Sequence, residues 1–378
     1  MTKDVKTRLK VVRRSRRSEP GAPQPATADD VARLAGVSRS AVSRTFTEGA
    51  SVAPDTRTRV MTAARALKYR PNLFARSLIT RRSHILGLAV SGLDNQYYPT
   101  VVQRFSEELG KAGYRLLLFI THGEDVGGMD PLLEELLRYR LDALILASSS
   151  VSVGLARECA AAGVPAIMFN NVDIAGDDIT SISVANVLAG KTIAAYLAEA
   201  GHQRFAYIAG WSADSTSYER ELGFTTFLRE QGLTPPARAE GQFKFDQARQ
   251  ATRELLSQPR PPDAIFCAND HMAMAAMETA RTEFGLQPGR DISIVGIDDA
   301  PVAAWPSFGL TTYSQPTDQM IARTIALLQA MIDNELPAAV QERLPGELVV
   351  RESARIPPTG VVKGPGGVRV WRPRKPLE

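Results

Sequence analysis

Two patterns of apolar and polar positions divide the chain. From Thr27 to Arg82 apolar residues recur three and four apart, the period of short helices packed through one face. From Ile85 onward the pattern becomes short apolar runs separated by helical stretches: ILGLAVS (85–91), RLLLFI (115–120), DALILA (142–147), PAIMF (165–169), RFAYIAG (204–210), DAIFCA (263–268) and DISIVGI (291–297). Runs of that length, bounded by turns and alternating with helices, predict parallel sheets covered on both faces. These strands and later ones suit two lobes better than one sheet. The chain is expected to change lobe near Asn186 and to cross back near Thr311–Pro316.

In the helical region Thr27 is a good N-cap for a helix over Asp29–Ala35, with Asp29 and Asp30 favourably placed in its first turn. Gly36 ends it, and Ser38 caps a second helix from Arg39 to about Phe46. Val42 and Phe46 share one face of that helix, while Ser40, Ala41 and Arg44 fall on the other. A third helix starts near Pro54–Asp55 and buries Val60, Ala64 and Leu67. Two helices joined by a tight turn ending Gly-Val-Ser predict a helix-turn-helix.

Charge sharpens this picture. Residues 1–83 hold 19 Lys+Arg against 6 Asp+Glu, and residues 84–378 hold 26 against 35, so a net +4 hides a basic head on an acidic body. Such asymmetry points to a nucleic-acid contact at one end. Two cysteines, Cys159 and Cys267, do not make a disulfide framework and fit a reducing compartment. His84, His122, His202 and His271 show no metal-ligand spacing, so neither metal nor cofactor is expected. No window approaches a membrane span, and no export signal follows the basic N-terminus. A cytoplasmic, nucleoid-associated protein is expected. Residues 1–25 and 357–378, rich in Pro, Gly and basic residues, are expected to be disordered.

VARLAGVSRSAVSRTF followed by VAPDTRTRVMTAARALKYRPNLFARSL resembles the DNA-binding head of the LacI/GalR family of bacterial transcriptional regulators. The similarity continues over roughly residues 27–356. It implies an all-α helix-turn-helix head, a hinge helix and a two-lobed α/β core like that of periplasmic binding proteins. On the family's pattern Arg39, Ser40, Ala41 and Arg44 face the major groove, where Arg44 can present two donors to a guanine. Arg70–Leu78 matches the family hinge. By that resemblance Asn72 and Arg76 contact DNA, and Leu78 wedges between base pairs in the minor groove. The implied division is a tail (1–25), head (26–70), hinge and linker (71–83), body (84–356) and tail (357–378). Within the body the first lobe takes 84–184 and 314–340, and the second takes 185–313 and 341–356.

Ligands of open parallel sheets sit outside the carboxyl ends of the strands. That position nominates Asp94-Asn95-Gln96-Tyr97-Tyr98 after the first strand, Asn170 after 165–169, Trp211 and, a few residues on, Arg220 after 204–210, Asn269-Asp270 after 263–268 and Asp298-Asp299 after 291–297. The family pattern adds Phe243, as a pocket wall, and Gln315. Asn170 stands where some sugar-binding members carry aspartate. Asp270 reads as a helix cap rather than a ligand contact. The mix of Asp, Asn and aromatic residues suits a polyhydroxylated metabolite, Arg220 also admits a sugar acid, and the aromatics admit a purine.

The expected protein is a homodimeric regulator, most consistent with a repressor, that binds a palindromic operator under control of a small effector. A periplasmic solute-binding protein would share the body but lack the head. An enzyme would need a dinucleotide, phosphate-loop or nucleophile–base motif, and none is recognisable.

Overall fold

The computed structural model describes residues 26–47, 49–70, 82–120, 138–147, 153–172, 176, 178–212, 214–336 and 338–377. It divides into two units, Met1–Arg81 and Arg82–Glu378. The N-terminal tail and the hinge residues Asn72, Arg76 and Leu78 lie outside the described residues.

In the first unit α1 spans Ala28–Ala35. The Thr27 hydroxyl accepts from the Asp30 amide at 3.3 Å, and the Asp30 carboxylate accepts from the Thr27 amide at 3.0 Å. This reciprocal cap satisfies two helix-end donors. Gly36, at φ +64°, ends the helix in a conformation that disfavours any side chain. Ser38 then caps α2 (Arg39–Thr45) through the Ala41 amide at 3.2 Å, and Pro54 opens α3 (Pro54–Ala66). Val31, Ala32, Ala35, Val42, Val60, Ala63 and Ala64 make the small core, with Phe46, Leu67 and Tyr69 half-buried at its rim.

The second unit holds two sheets. One is wholly parallel, in the order β11-β5-β4-β3-β1-β2, with β1 Ile85–Val90, β2 Arg115–Ile120, β3 Ala143–Leu146, β4 Ala166–Phe169, β5 Ser181–Val184 and β11 Gln341–Leu344. The other, with β12 at Glu347–Val349, β13 at Val361–Lys363 and β14 at Arg369–Trp371, runs β13-β14-β12-β10-β9-β8-β6-β7. Its strands β6 (Phe205–Ala209), β7 (Ala237–Glu240), β8 (Ala264–Cys267), β9 (Ser293–Asp298) and β10 (Thr311–Ser314) are parallel. Helices α4 (Tyr97–Lys111), α5 (Val153–Ala161) and α10 (Thr317–Ile332) accompany the first sheet. The second carries α6 (Asn186–Glu199), α7 (Ser215–Glu230), α8 (Phe245–Leu256) and α9 (Asp270–Phe284).

The chain passes between sheets at Ala185, at Gln315–Pro316 and again at Pro345–Gly346. The crossings are tied to each other: the Ala185 amide donates to Leu344 O at 2.8 Å, and the Gly346 amide donates to the Tyr313 hydroxyl at 2.9 Å. A Cβ at Gly346 would lie 2.0 Å from Ser314 O, so only glycine lets these strands run this close. The third crossing corrects the expected lobe division. β11, assigned from the sequence to the second lobe, pairs with β5 in the first sheet.

The C-terminal segment corrects a second expectation. Residues 357–378, read as disordered, contain β13 (Val361–Lys363) and β14 (Arg369–Trp371), an antiparallel hairpin added to β12 (Glu347–Val349). Two valine-bearing strands flank a Gly-Pro-Gly-Gly turn. Trp371, 2% exposed, packs edge-on to Tyr196 at 5.6 Å and donates to Thr359 O at 3.1 Å. One buried tryptophan anchors a segment whose glycine and proline content alone suggests no core.

Candidate functional site

Two surfaces gather the residues nominated from the sequence. On the first unit, α2 turns Val42 and Thr45 inward and leaves Arg39, Ser40 and Arg44 exposed, with Ala41 half-buried between them. The inward side is pinned from α3, whose Arg57 donates to Thr45 O at 3.0 Å. The outward side is lightly held. Arg39 Nε stands 3.8 Å from an Asp29 carboxylate, and Arg44 Nε stands 3.5 Å from Ser40 O. Both pairs are exposed and contribute little to stability, so both guanidiniums are available to another partner.

The other surface is a cleft of about 540 Å³, counted to its open mouth, between the strand ends of the two sheets. Tyr97, Tyr98, Asn170, Arg220, Phe243, Asn269 and Asp298 all line it. Trp211, beside Gly210 at the end of β6, is not among the lining residues. Gln315 sits behind the wall. Its amide donates to Asp298 Oδ1 at 2.7 Å, and its carbonyl accepts from the Tyr97 hydroxyl at 3.2 Å. It therefore orients lining groups instead of facing the cleft.

Arg220 is placed by helix packing. α6 and α7 touch at two glycines, where a Cβ on Gly190 would fall 2.2 Å from Arg220 O and one on Gly223 would fall 2.0 Å from Val187 O. This close approach brings Arg220 Nε 2.8 Å from Asn186 Oδ1, while Nη1 donates to Ala268 O. Asn186 in turn donates to Glu219 at 3.2 Å, and Glu219 accepts from Arg343 of β11 at 3.1 Å. The remaining guanidinium nitrogen, Nη2, is buried and finds no hydrogen-bond partner in the protein.

Asn170 Oδ1 and Asp298 Oδ2 are buried and unpartnered in the same way. Such atoms are costly to leave unsatisfied. Three lining residues also hold positive φ: Asn170 at 56°, Phe243 at 56° and Asp298 at 139°. For a phenylalanine this is strain, and strain of this kind concentrates at binding sites. It sets the Phe243 ring directly against Gly210, where a Cβ would lie 2.1 Å from the ring, and makes the ring an apolar wall.

Burial pushes the Asp298 carboxyl up to about 6, against the opposing pull of Arg220. Burial, reinforced by Asp298, raises Asp270 well above the carboxylate range. Burial also raises the Tyr97 and Tyr98 phenols, which stay protonated as donors. Asp270 is not the helix cap expected of it. The cap of α9 is Asn269, whose Oδ1 accepts from the Met272 amide at 3.0 Å, so this lining residue holds both roles. The Asp270 carboxylate instead accepts from Ala300 N at 3.0 Å and from the Thr312 hydroxyl at 2.6 Å.

Sequence reasoning did not nominate Ser91, Gly92 or Thr216, which also line the cleft, whereas Asp94 and Asn95, nominated after the first strand, do line it. Ser91 and Gly92 directly follow β1 and were reachable by the strand-end rule. Thr216 was not, because it lies in the first turn of α7 beside the buried cap Asp214. Among the described residues no cluster of His, Cys, Asp and Glu is arranged for a metal ion, and no helix is long and apolar enough to cross a membrane.

Residues 27–72 match the family described as bacterial regulatory proteins, lacI family, and residues 194–354 match a periplasmic binding protein-like domain. The ribose operon repressor of Escherichia coli K12 is 32% identical over 323 residues, covering 84% of this chain and 96% of that protein. A solved lac repressor dimer, bound to operator and the anti-inducer ONPF, superposes with a TM-score of 0.78 at 28% identity, covering 88% of this chain and 100% of the other. A complex of the transcriptional regulator CelR with cellobiose gives a TM-score of 0.64 at 28% identity, covering 87% and 100%.

Proposed function

Given that the chain belongs to the LacI family of bacterial regulatory proteins, as a DNA-binding transcriptional repressor and not an enzyme, we propose that it binds a palindromic operator as a homodimer. In this reading a small polyhydroxylated metabolite in the interlobe cleft controls that binding. The observation carrying the second part is the set of three buried, unpartnered polar atoms on lining residues. One is a donor, Arg220 Nη2, and two are acceptors, Asn170 Oδ1 and Asp298 Oδ2. A polyol satisfies all three at once, and Phe243 covers the apolar face of its ring.

Charge favours a neutral sugar over a sugar acid. Asp298 and Asp94 line the same cleft as Arg220, so a ligand carboxylate meets two acids for one guanidinium. The phenol of Tyr97 is engaged with Gln315 and its ring is almost wholly buried, which disfavours stacking of a purine there. Names of similar proteins are divided, with a ribose operon repressor and a CelR–cellobiose complex on one side and several repressors named PurR on the other, so the preference for a sugar rests on the cleft itself.

In the proposed mechanism Arg39, Ser40, Ala41 and Arg44 read the major groove from a cytoplasmic dimer. Asn72, Arg76 and Leu78 form the hinge contact, and a change in lobe angle couples the cleft to that hinge. Thermal-shift screening of the full chain against neutral sugars, sugar acids and purines tests the effector class. A neutral sugar that stabilises the wild type but not the Arg220→Ala variant supports the reading. Stabilisation by purines or acids alone overturns it.

A further inference from the structure

We propose that Asp94 and His271 form a latch across the mouth of the cleft, joining the first lobe to the second and holding the closed form over the pocket. Asp94 lies on the loop after β1 in the first lobe and lines the cleft; its side chain is 76% exposed. His271 is the second residue of α9 in the other lobe, 13% exposed, and its Nε2 stands 4.0 Å from Asp94 Oδ2. That nitrogen is buried and has no hydrogen-bond partner within the protein. The imidazole is steadied by Phe245 of α8, 5.5 Å between ring centres.

The surroundings leave Asp94 as the natural partner. On its own helix the nearest acid, Asp270, is committed to Ala300 and Thr312. Phe245, from α8, is uncharged. Asp94 pairs with no other cation among the described residues. Its neighbour Asn95 is fixed by accepting from the Tyr97 amide at 3.1 Å, so the loop presents Asp94 from a defined turn at the start of α4. A 4.0 Å gap closes to a hydrogen bond with a small further movement of the lobes, and the pair breaks when they part. The role of holding an effector rests on the pocket reading above. The existence of the latch does not, and it can be tested without a ligand.

The full-length protein is treated with diethylpyrocarbonate at neutral pH, and modification of each histidine is followed by mass spectrometry. The Asp94→Asn variant should expose His271 and raise its modification rate about tenfold, Asp94→Glu should restore the slow rate, and buried His202 should react equally in all three. Histidine NMR on the same proteins should show the His271 pKa falling in Asp94→Asn, because the carboxylate raises it against the larger, lowering effect of burial. Unchanged His271 modification and an unchanged titration in Asp94→Asn overturn the latch. A parallel rise at His202 reports general loosening and overturns it as well.

Discussion

On α2 the two guanidiniums offered to DNA are exposed and held by pairs of 3.5 and 3.8 Å, whereas in the cleft Arg220, Asn269 and Asp298, with Gln315 behind them, are buried and fixed by hydrogen bonds of 2.5–3.2 Å. A groove-reading surface gains its energy largely from phosphate charge, tolerates mobile side chains and pays little for any single loss. A buried pocket is preorganised, so removing one group orphans its neighbours. The same substitution type should therefore have very different consequences in the two places.

The largest expected effect is at Arg220. Arg220→Ala leaves Asn186 Oδ1 and Ala268 O without donors and Asp298 without its counter-charge, costing about 3–5 kcal/mol of stability by denaturant titration. Arg220→Lys should recover little of it, because an ammonium cannot reproduce the guanidinium fork. A loss below about 1 kcal/mol would remove the claim of preorganisation. Gly223→Ala places a methyl group against the Val187 carbonyl and should cost about 1–3 kcal/mol, with weaker effector binding because Arg220 is displaced.

Arg44→Ala should leave stability unchanged within about 0.5 kcal/mol. It should relax preference at one base pair per half-site by about 1–3 kcal/mol, measured on single-base operator variants. A stability loss as large as that at Arg220 would erase the contrast between the two surfaces.

The smallest effect is with pH. Burial raises Asp298 to about 6, so folding favours its neutral form, and its contribution to stability declines as pH rises from the unfolded value near 3.8 through 6. Effector binding runs the other way, since a ligand hydroxyl donates to the carboxylate. Affinity should fall about tenfold between pH 7 and pH 5, and Asp298→Asn should flatten that profile.

Much of this contrast was legible in the sequence. Thr27, Gly36 and Ser38 mark the helix ends through local chemistry, and the strongly apolar strands announce themselves by composition. Strands such as SISV (181–184), ARAE (237–240) and QERL (341–344) do not, because their pairing depends on neighbours distant in the chain. The hairpin around Trp371 was hidden for the same reason: its anchor, Tyr196, lies in α6. Strand ends located most of the pocket, but they gave no hint that Gln315 works from behind it or that Asn186 and Glu219 hold Arg220. The hold on Arg220 depends on the Gly190–Gly223 helix contact, and that of Gln315 on side chains distant in the chain, neither of which a spacing pattern records.

The central claim is that cleft and operator are coupled. Its most direct test uses DNA selected by the full-length protein from a randomised palindromic library, with binding followed by fluorescence anisotropy as the stabilising sugar is added. Operator affinity should change by about 5–150-fold, and operator should change sugar affinity by the same factor, with both effects absent in Arg220→Ala. Sugar binding that is tight, abolished by Arg220→Ala, and yet identical with and without operator would contradict it.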